Sequence, residues 1–173
     1  MSLEGKKVLV LAANSVDEKE YLYPSIRLAE EGAEVVTAGP KAGPVAGNHG
    51  METLTVDVAI DGLKAADFDG VVIPGGFAPD LLRRDEYLLD LIRDMNEANK
   101  TVAFICHAGW VPVSAGILDG RKVTSVGAIK HDLINAGGDW SDEEVVVDKN
   151  LVSSRTPADL GPFMKAVIKN LSD

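Results

Sequence analysis

The chain has 173 residues, 46% of them hydrophobic and 25% charged, with a formal net charge of −10. That is one domain's length, enough to bury a core without staples, and the acidic balance argues against nucleic acid or an anionic membrane as partner. A single cysteine rules out an internal disulfide; with no signal-peptide core and no apolar run of membrane-spanning length, the expected location is the reducing cytoplasm.

Residues 7–13 are a continuous apolar run behind a basic pair and read as a strand buried on both faces. Residues 14–17 turn, with polar side chains able to cap the next element. The pattern predicts a helix over 18–31, with Tyr21, Leu22, Ser25, Ile26, Leu28 and Ala29 on one face. Pro24 should bend it and Gly32 stop it. A strand over 33–39 completes a right-handed β-α-β unit. Residues 40–51, rich in Gly and Pro, read as a loop with His49 near its end. A short strand at 53–58, a short helix at 61–66 and a buried strand at 68–74 follow, the last ending on Gly75-Gly76. A helical turn at 79–84 precedes an amphipathic helix at 87–99 that faces Leu88, Leu91, Ile92 and Met95 inward. After the 101–118 region come a strand at 122–125, a helix at 128–136, a hairpin of 145–148 with 151–154, and a closing helix at 157–171. There are no repeats, low-complexity tracts or linkers, so residues 1–173 are expected to be a single domain.

The most informative stretch is Thr101-Val102-Ala103-Phe104-Ile105-Cys106-His107-Ala108-Gly109-Trp110. A buried strand runs straight into the sole cysteine, and a helix over 111–118 continues behind it. A nucleophile elbow has that layout: a tight strand-to-helix turn lifts the nucleophile above the sheet, beside backbone N–H groups that can hold an oxyanion. The helix start is expected to favour the thiolate and lower the cysteine pKa. The plain alternative is a small buried hydrophobe.

Strands alternating with helices specify an α/β fold with a mostly parallel central sheet covered on both faces. In such folds the chemistry gathers at the carboxyl ends of the strands. Here those ends deliver Asn14 to Glu20, then Gly75, Gly76 and Asp80, then Cys106 and His107. Gly75-Gly76 permits close backbone approach and offers N–H donors, or is a plain tight turn; no phosphate-loop pattern accompanies it. Glu20, if buried beside the thiol, would be protonated and donate to the sulfur; otherwise it joins Glu18, Glu30 and Glu31 on a solvated face. His107 diverges from Cys106 unless the turn bends the two together. Asp80 either orients His107 or serves a helix dipole. His49, His107 and His131 lack ligand spacing, so no metal or other cofactor is expected.

Several pieces recur together: Ala13-Asn14, Tyr23-Pro24 with Arg27-Leu28, Glu31-Gly32-Ala33-Glu34-Val35, His49-Gly50, and Pro74-Gly75-Gly76 with Ala78-Pro79. Ile105-Cys106-His107, Ser114-Ala115-Gly116, Ile134-Asn135-Ala136-Gly137, Glu144-Val145-Val146-Val147-Asp148 and Val152-Ser153-Ser154-Arg155 continue the set. With these the chain resembles, nearly end to end, the PfpI family, the intracellular protease I group within the superfamily of the parkinsonism-associated deglycase. The resemblance implies a flavodoxin-like three-layer sandwich related to class I glutamine amidotransferases. It implies Cys106 as a strained nucleophile, Glu20 as the carboxylic acid bonded to it, and Gly76 and His107 as oxyanion-hole amides. Asp80 matches the acid, usually Glu, that reaches His107 across a subunit interface, so a homo-oligomer, dimer or hexamer, is implied. The implied activity is that of a cysteine-dependent hydrolase, by thiolate attack on the carbonyl of a peptide, of glyoxal or methylglyoxal, or of their adducts. The alternative is a redox-sensing stress protein whose Cys106 is oxidised to a sulfinate held by Glu20. Three departures stand out. Ala108-Gly109-Trp110 replaces a common Gly-Pro, with Trp110 placed to narrow the pocket mouth; Asp80 is one methylene short of Glu; and Ser15-Val16-Asp17 occupies a loop where acids are commoner.

Overall fold

In the computed structural model, which describes residues 2–50 and 54–173, the first apolar run forms β1 (Lys7–Leu11), with Val8 through Leu11 fully buried. Helix α1 (Glu18–Glu30) begins at Asp17, whose side chain accepts the N–H groups of Lys19 and Glu20. It runs through Pro24 and buries Glu18, Glu20, Tyr21, Pro24 and Leu28. Ile26, expected on the inner face, is 56% exposed. The buried stripe follows the helical spacing of positions 17, 20, 21, 24 and 28, and two residues beyond Pro24 the helix has turned about 200° away from it. That stripe carries two acids inward, which an apolar pattern does not reveal.

Strand β2 (Glu34–Gly39) pairs parallel with β1. The glycine-rich loop contains β3 (Gly43–Val45), paired antiparallel with β4 (Leu54–Val56) in a small ribbon. The strand predicted over 53–58 therefore divides, with Thr53 outside the described residues. Asp57 makes the break: its carboxylate accepts the Thr37 N–H at 3.0 Å and the Thr37 hydroxyl at 2.7 Å. Beyond it β5 (Val58–Ala59) joins the edge of the main sheet. In place of the helix predicted over 61–66 there is a 3-10 turn at Ala65–Asp67. Gly62 lies at φ 86°, and so short a segment cannot offset the cost of nucleating an α-helix.

Strands β6 (Gly70–Ile73) and β7 (Thr101–Ile105) are buried at every residue. Between them lie α2 (Ala78–Leu82) and α3 (Glu86–Glu97). After β7 a 3-10 turn, Cys106–Gly109, leads into α4 (Trp110–Ala115), which stops before the predicted 118 because Gly116 takes a left-handed cap at φ 71°. An excursion follows through β8 (Lys122–Val123), α5 (Lys130–Asn135) and β9 (Asp139–Trp140), with β8 and β9 paired parallel. β8 is shorter than predicted, since the Thr124 N–H donates to the Ser153 hydroxyl at 2.9 Å instead of to a strand. The hairpin of β10 (Val145–Asp148) and β11 (Leu151–Ser154) turns at Lys149, φ 54°. Helix α6 (Leu160–Ser172) closes the chain.

The main sheet has the order β10-β11-β7-β6-β1-β2-β5, parallel except for β10. From β1 the chain moves toward β2; from β6 it moves the opposite way, toward β7. Right-handed crossovers then place α1 and α3 on opposite faces. α6 packs beside α1, and α4 beside α3. The result is the expected three-layer α/β sandwich. The order reverses between β1 and β6, and the crevice at that switch point is where such sheets bind ligands. Among the described residues no helix is long and apolar enough to cross a membrane.

Candidate active site

The loops after β1, β6 and β7 meet at this crevice and are stitched together by backbone bonds. Val16 bridges Gly76 on one side and Gly47 on the other. The Asp17 N–H donates to the Gly75 carbonyl at 3.2 Å, and the Phe77 N–H to the Ser15 carbonyl at 2.8 Å. β7 is still extended at Ile105 (φ −133°, ψ 148°), but Cys106 flips to φ 62°. A non-glycine residue there is strained by about 1–3 kcal/mol and persists only where its surroundings enforce it. This is the elbow that the apolar run into Cys106 implied.

Glu20 is fully buried, and its Oε2 accepts the Gly75 N–H at 2.7 Å. Its Oε1 has no hydrogen-bond partner among the described residues. A Cβ placed on Gly75 would lie 2.6 Å from Glu20 Oε2 and 2.9 Å from the Cys106 Cβ. Gly75 is therefore the wedge between carboxyl and thiol, and only a residue without a side chain fits it. Burial first, and the charge of Asp17 second, push the Glu20 carboxyl from 4.5 up to about 8, against the Gly75 N–H and Cys106, which pull it down. At neutral pH Glu20 keeps its proton, as expected for a buried acid.

The thiol departs from expectation. Burial, and then the charge of an ionised Glu20, push Cys106 up to about 12; the N–H groups of His107 and Gly76 pull it down but do not prevail. The turn behind Cys106 is a four-residue 3-10 segment, which lacks the aligned peptide dipoles of a long helix start. Removal from water beside two acids outweighs it. With Glu20 protonated, the carboxylate charge that raises the thiol is absent, so the two groups ionise as a pair.

His107 does bend back: its Nδ1 lies 3.4 Å from the Cys106 sulfur. Its ring sits between Phe77, stacked at 6.2 Å, and Trp110, tilted at 5.2 Å. Burial holds its pKa below the usual histidine value, so the ring is neutral at pH 7 and able to accept a proton. Trp110 is fixed beside the His107 ring. Its Nε1 donates to Asp132 at 2.8 Å, the Arg83 guanidinium lies 5.6 Å over its ring, and Arg83 Nε donates to the Ser114 hydroxyl at 2.9 Å. Phe77, Arg83 and Asp132 were not legible as site residues, because Phe77 and Arg83 cap the two ends of α2 and Asp132 comes from α5, with no local motif marking any of them. Asp80 stands on α2 and pairs with Arg84 one turn later. Within the chain no hydrogen bond joins it to His107 among the described residues.

The sequence profile of the DJ-1/PfpI family matches residues 6–170. The chain belongs to the DJ-1/PfpI family. Among curated relatives, the deglycase PH1704 of Pyrococcus horikoshii is 47% identical over 95% of this chain and 99% of its own. Protein/nucleic acid deglycase 2 of Escherichia coli is 39% identical over 96% and 98%. Among solved structures, a two-domain Anabaena variabilis protein with DJ-1/ThiJ/PfpI-like and ferritin-like domains superposes with a TM-score of 0.93 at 37% identity. It covers 96% of this chain, while this chain spans 48% of that longer one. Drosophila melanogaster DJ-1beta superposes with a TM-score of 0.89 at 28% identity, over 96% of this chain and 90% of its own.

In this DJ-1/PfpI chain the sequence-selected residues Cys106, His107, Glu20 and Gly76 converge on one sulfur. Asp17, Glu18 and His49 also draw together, their donor atoms within 4.8 Å of one another. That group is closed by its own hydrogen bonds: the His49 N–H donates to Glu18 Oε1 at 2.8 Å, and His49 Nδ1 lies 2.9 Å from Glu18 Oε2. We read it as a hydrogen-bonded cluster that fastens the His49 loop to α1. The Gly75 wedge has a direct consequence. Gly75→Ala should lower stability by about 2 kcal/mol through overpacking and change the Cys106 alkylation rate at neutral pH by about tenfold or more. A wild-type alkylation rate in the folded variant would remove Gly75 from the site.

Proposed function

We propose that this DJ-1/PfpI chain is a cysteine-dependent hydrolase acting on reactive-carbonyl adducts, a deglycase, with Cys106 as its nucleophile. The observation that carries the reading is the strained Cys106, flanked by a protonated buried carboxyl and approached by two backbone amides. The deglycase names of relatives at 39–47% identity over nearly the whole chain support it. Sulfur adds to the carbonyl carbon, and the carbonyl electrons move onto oxygen, where the Gly76 and His107 N–H groups hold them. The proton that leaves the Glu20–Cys106 pair passes to the neutral His107 ring 3.4 Å away. The imidazolium so formed hands its proton to the amine nitrogen as the carbon–nitrogen bond of the adduct breaks; the adduct's hydroxyl closes to a carbonyl and its proton passes to the sulfur-bound oxyanion. Water then displaces the sulfur from the carbon skeleton left behind, which restores the thiol. The test is release of free arginine or lysine derivative from its methylglyoxal adduct by wild type and by Cys106→Ala.

A redox role is favoured by one observation, the buried Oε1 of Glu20, which has no hydrogen-bond partner among the described residues. A proton there could be donated to a sulfinate oxygen on Cys106. Intact mass after mild peroxide separates the readings: a stable gain of two oxygens in a chain that releases no adduct would favour the sensor.

The active unit in this proposal is a homo-oligomer in which Asp80 of one copy reaches His107 of the next. Asp80 lies in the chain between Phe77 and Leu81, which are 61% and 39% exposed, and the Phe77 ring stacks on His107 at 6.2 Å. Asp80→Ala should lower adduct turnover about tenfold while leaving Cys106 alkylation near wild type. Equal turnover in a chain that sediments as an oligomer would refute the shared triad.

A further inference from the structure

The first turn of α1 touches the reacting pair through a residue the mechanism above does not use. Asp17 is 6% exposed. Its Oδ1 accepts the Lys19 N–H at 3.0 Å and the Glu20 N–H at 3.1 Å. Its own N–H donates to the Gly75 carbonyl at 3.2 Å. Asp17 therefore holds both residues that flank the thiol: Glu20 through the helix cap, and Gly75 through the backbone. Its second oxygen, Oδ2, faces His49 Nδ1 at 3.6 Å. The loop bearing His49 is fastened to the same place, with the Asn48 N–H donating to the Val16 carbonyl at 2.8 Å and Val16 bridging Gly76.

We propose that Asp17 is a positioning residue for the chemistry of Cys106: it fixes Glu20 and the Gly75-Gly76 turn around the sulfur, and its carboxylate sets how readily the Glu20–Cys106 pair gives up a proton. The proposal rests on Cys106 being the reacting group of the preceding reading, not on the substrate. The ionisable groups around Asp17 are Glu18, Lys19 and Glu20 on its own helix, His49 from the loop, and Cys106 from the elbow. Lys19 is exposed and the His49 ring is 63% exposed, so both stand on the solvent side of Asp17. Toward the sulfur the carboxylate acts through protein, where screening is weak. In keeping with this, the charge of Asp17 raises both Glu20 and Cys106.

Structural and electrostatic roles separate cleanly. Asparagine and serine serve as helix N-caps about as well as aspartate, but are neutral. The rate of Cys106 alkylation by iodoacetamide is to be followed from about pH 5 to about pH 10 in the full chain. The expected result is that Asp17→Asn and Asp17→Ser keep a near-wild-type melting temperature while alkylation at each pH in this range is about tenfold faster, which is a downward shift of the profile by about one pH unit. In a Glu20→Gln background the shift should shrink by about half, because part of it acts through Glu20. Asp17→Ala, which loses the cap, should also lower the melting temperature. An unchanged or slower alkylation rate at every pH in folded Asp17→Asn or Asp17→Ser overturns the proposal and leaves Asp17 a cap only. Iodoacetamide needs no carbonyl substrate, so absence of adduct hydrolysis would end the deglycase reading without deciding this one.

Discussion

Cys106→Ala should abolish release of amine from methylglyoxal adducts, by at least about 10³-fold, while the chain stays folded. The size follows from the chemistry: without sulfur there is no covalent intermediate, and what remains is whatever the Gly76 and His107 amides do for water alone. Cys106→Ser should fail nearly as badly, since a hydroxyl beside a neutral imidazole and a protonated carboxyl has no strong base to activate it. The fold survives because the side chain is only partly buried and the left-handed backbone is enforced by β7 and the stitched loops, not by the sulfur. Cys106→Gly should raise the melting temperature by a few degrees through release of the strain at φ 62°. The assay belongs in an amine-free buffer, because any free amine consumes methylglyoxal by itself. Turnover retained by Cys106→Ala would end the enzyme reading at this site.

Glu20→Gln produces two effects of opposite kind. Activity falls, by about 10- to 100-fold at neutral pH, because a carboxylic O–H bonded to a developing thiolate is a stronger donor than an amide N–H. Stability, in contrast, improves as the solution becomes alkaline. The folded-state pKa of Glu20 is raised, to about 8 from 4.5. Its contribution to stability is thus fully present below about pH 4.5 and is lost as pH rises through about 8, where a buried charge must form. Glutamine has nothing to ionise. The difference in melting temperature between variant and wild type should widen in favour of the variant from about pH 5 to about pH 9, reaching about 2–4 kcal/mol in stability. A difference that stays flat, or narrows with rising pH, would mean that Glu20 is ionised in the folded chain. The proton-donor role would then have no basis.

Much of this was written in local pattern. The apolar runs at β1, β6 and β7 announced buried parallel strands, since such strands carry no polar alternation. The run into Cys106 announced the elbow, and the polar turn at 14–17 announced a cap, which the structure assigns to Asp17. Other features have no local trace. Glu20 and Gly75 are 55 positions apart in the chain yet share a hydrogen bond. His107 could have pointed away from Cys106, and the left-handed turn alone brings the ring back to the sulfur. Trp110 was visible as a bulky departure, but Asp132, which pins it, was not.

The sequence by itself determined which residues lie at the carboxyl ends of the strands, because hydrophobic period and turn chemistry are properties of neighbouring residues. The tertiary structure alone decided the sign of the thiol's shift, the direction opposite to that expected from a helix start. Ionisation depends on how much water is excluded and on which charges stand a few ångströms away through space. Those distances exist only once Asp17, Glu20, Gly75 and Cys106 have been folded into one crevice.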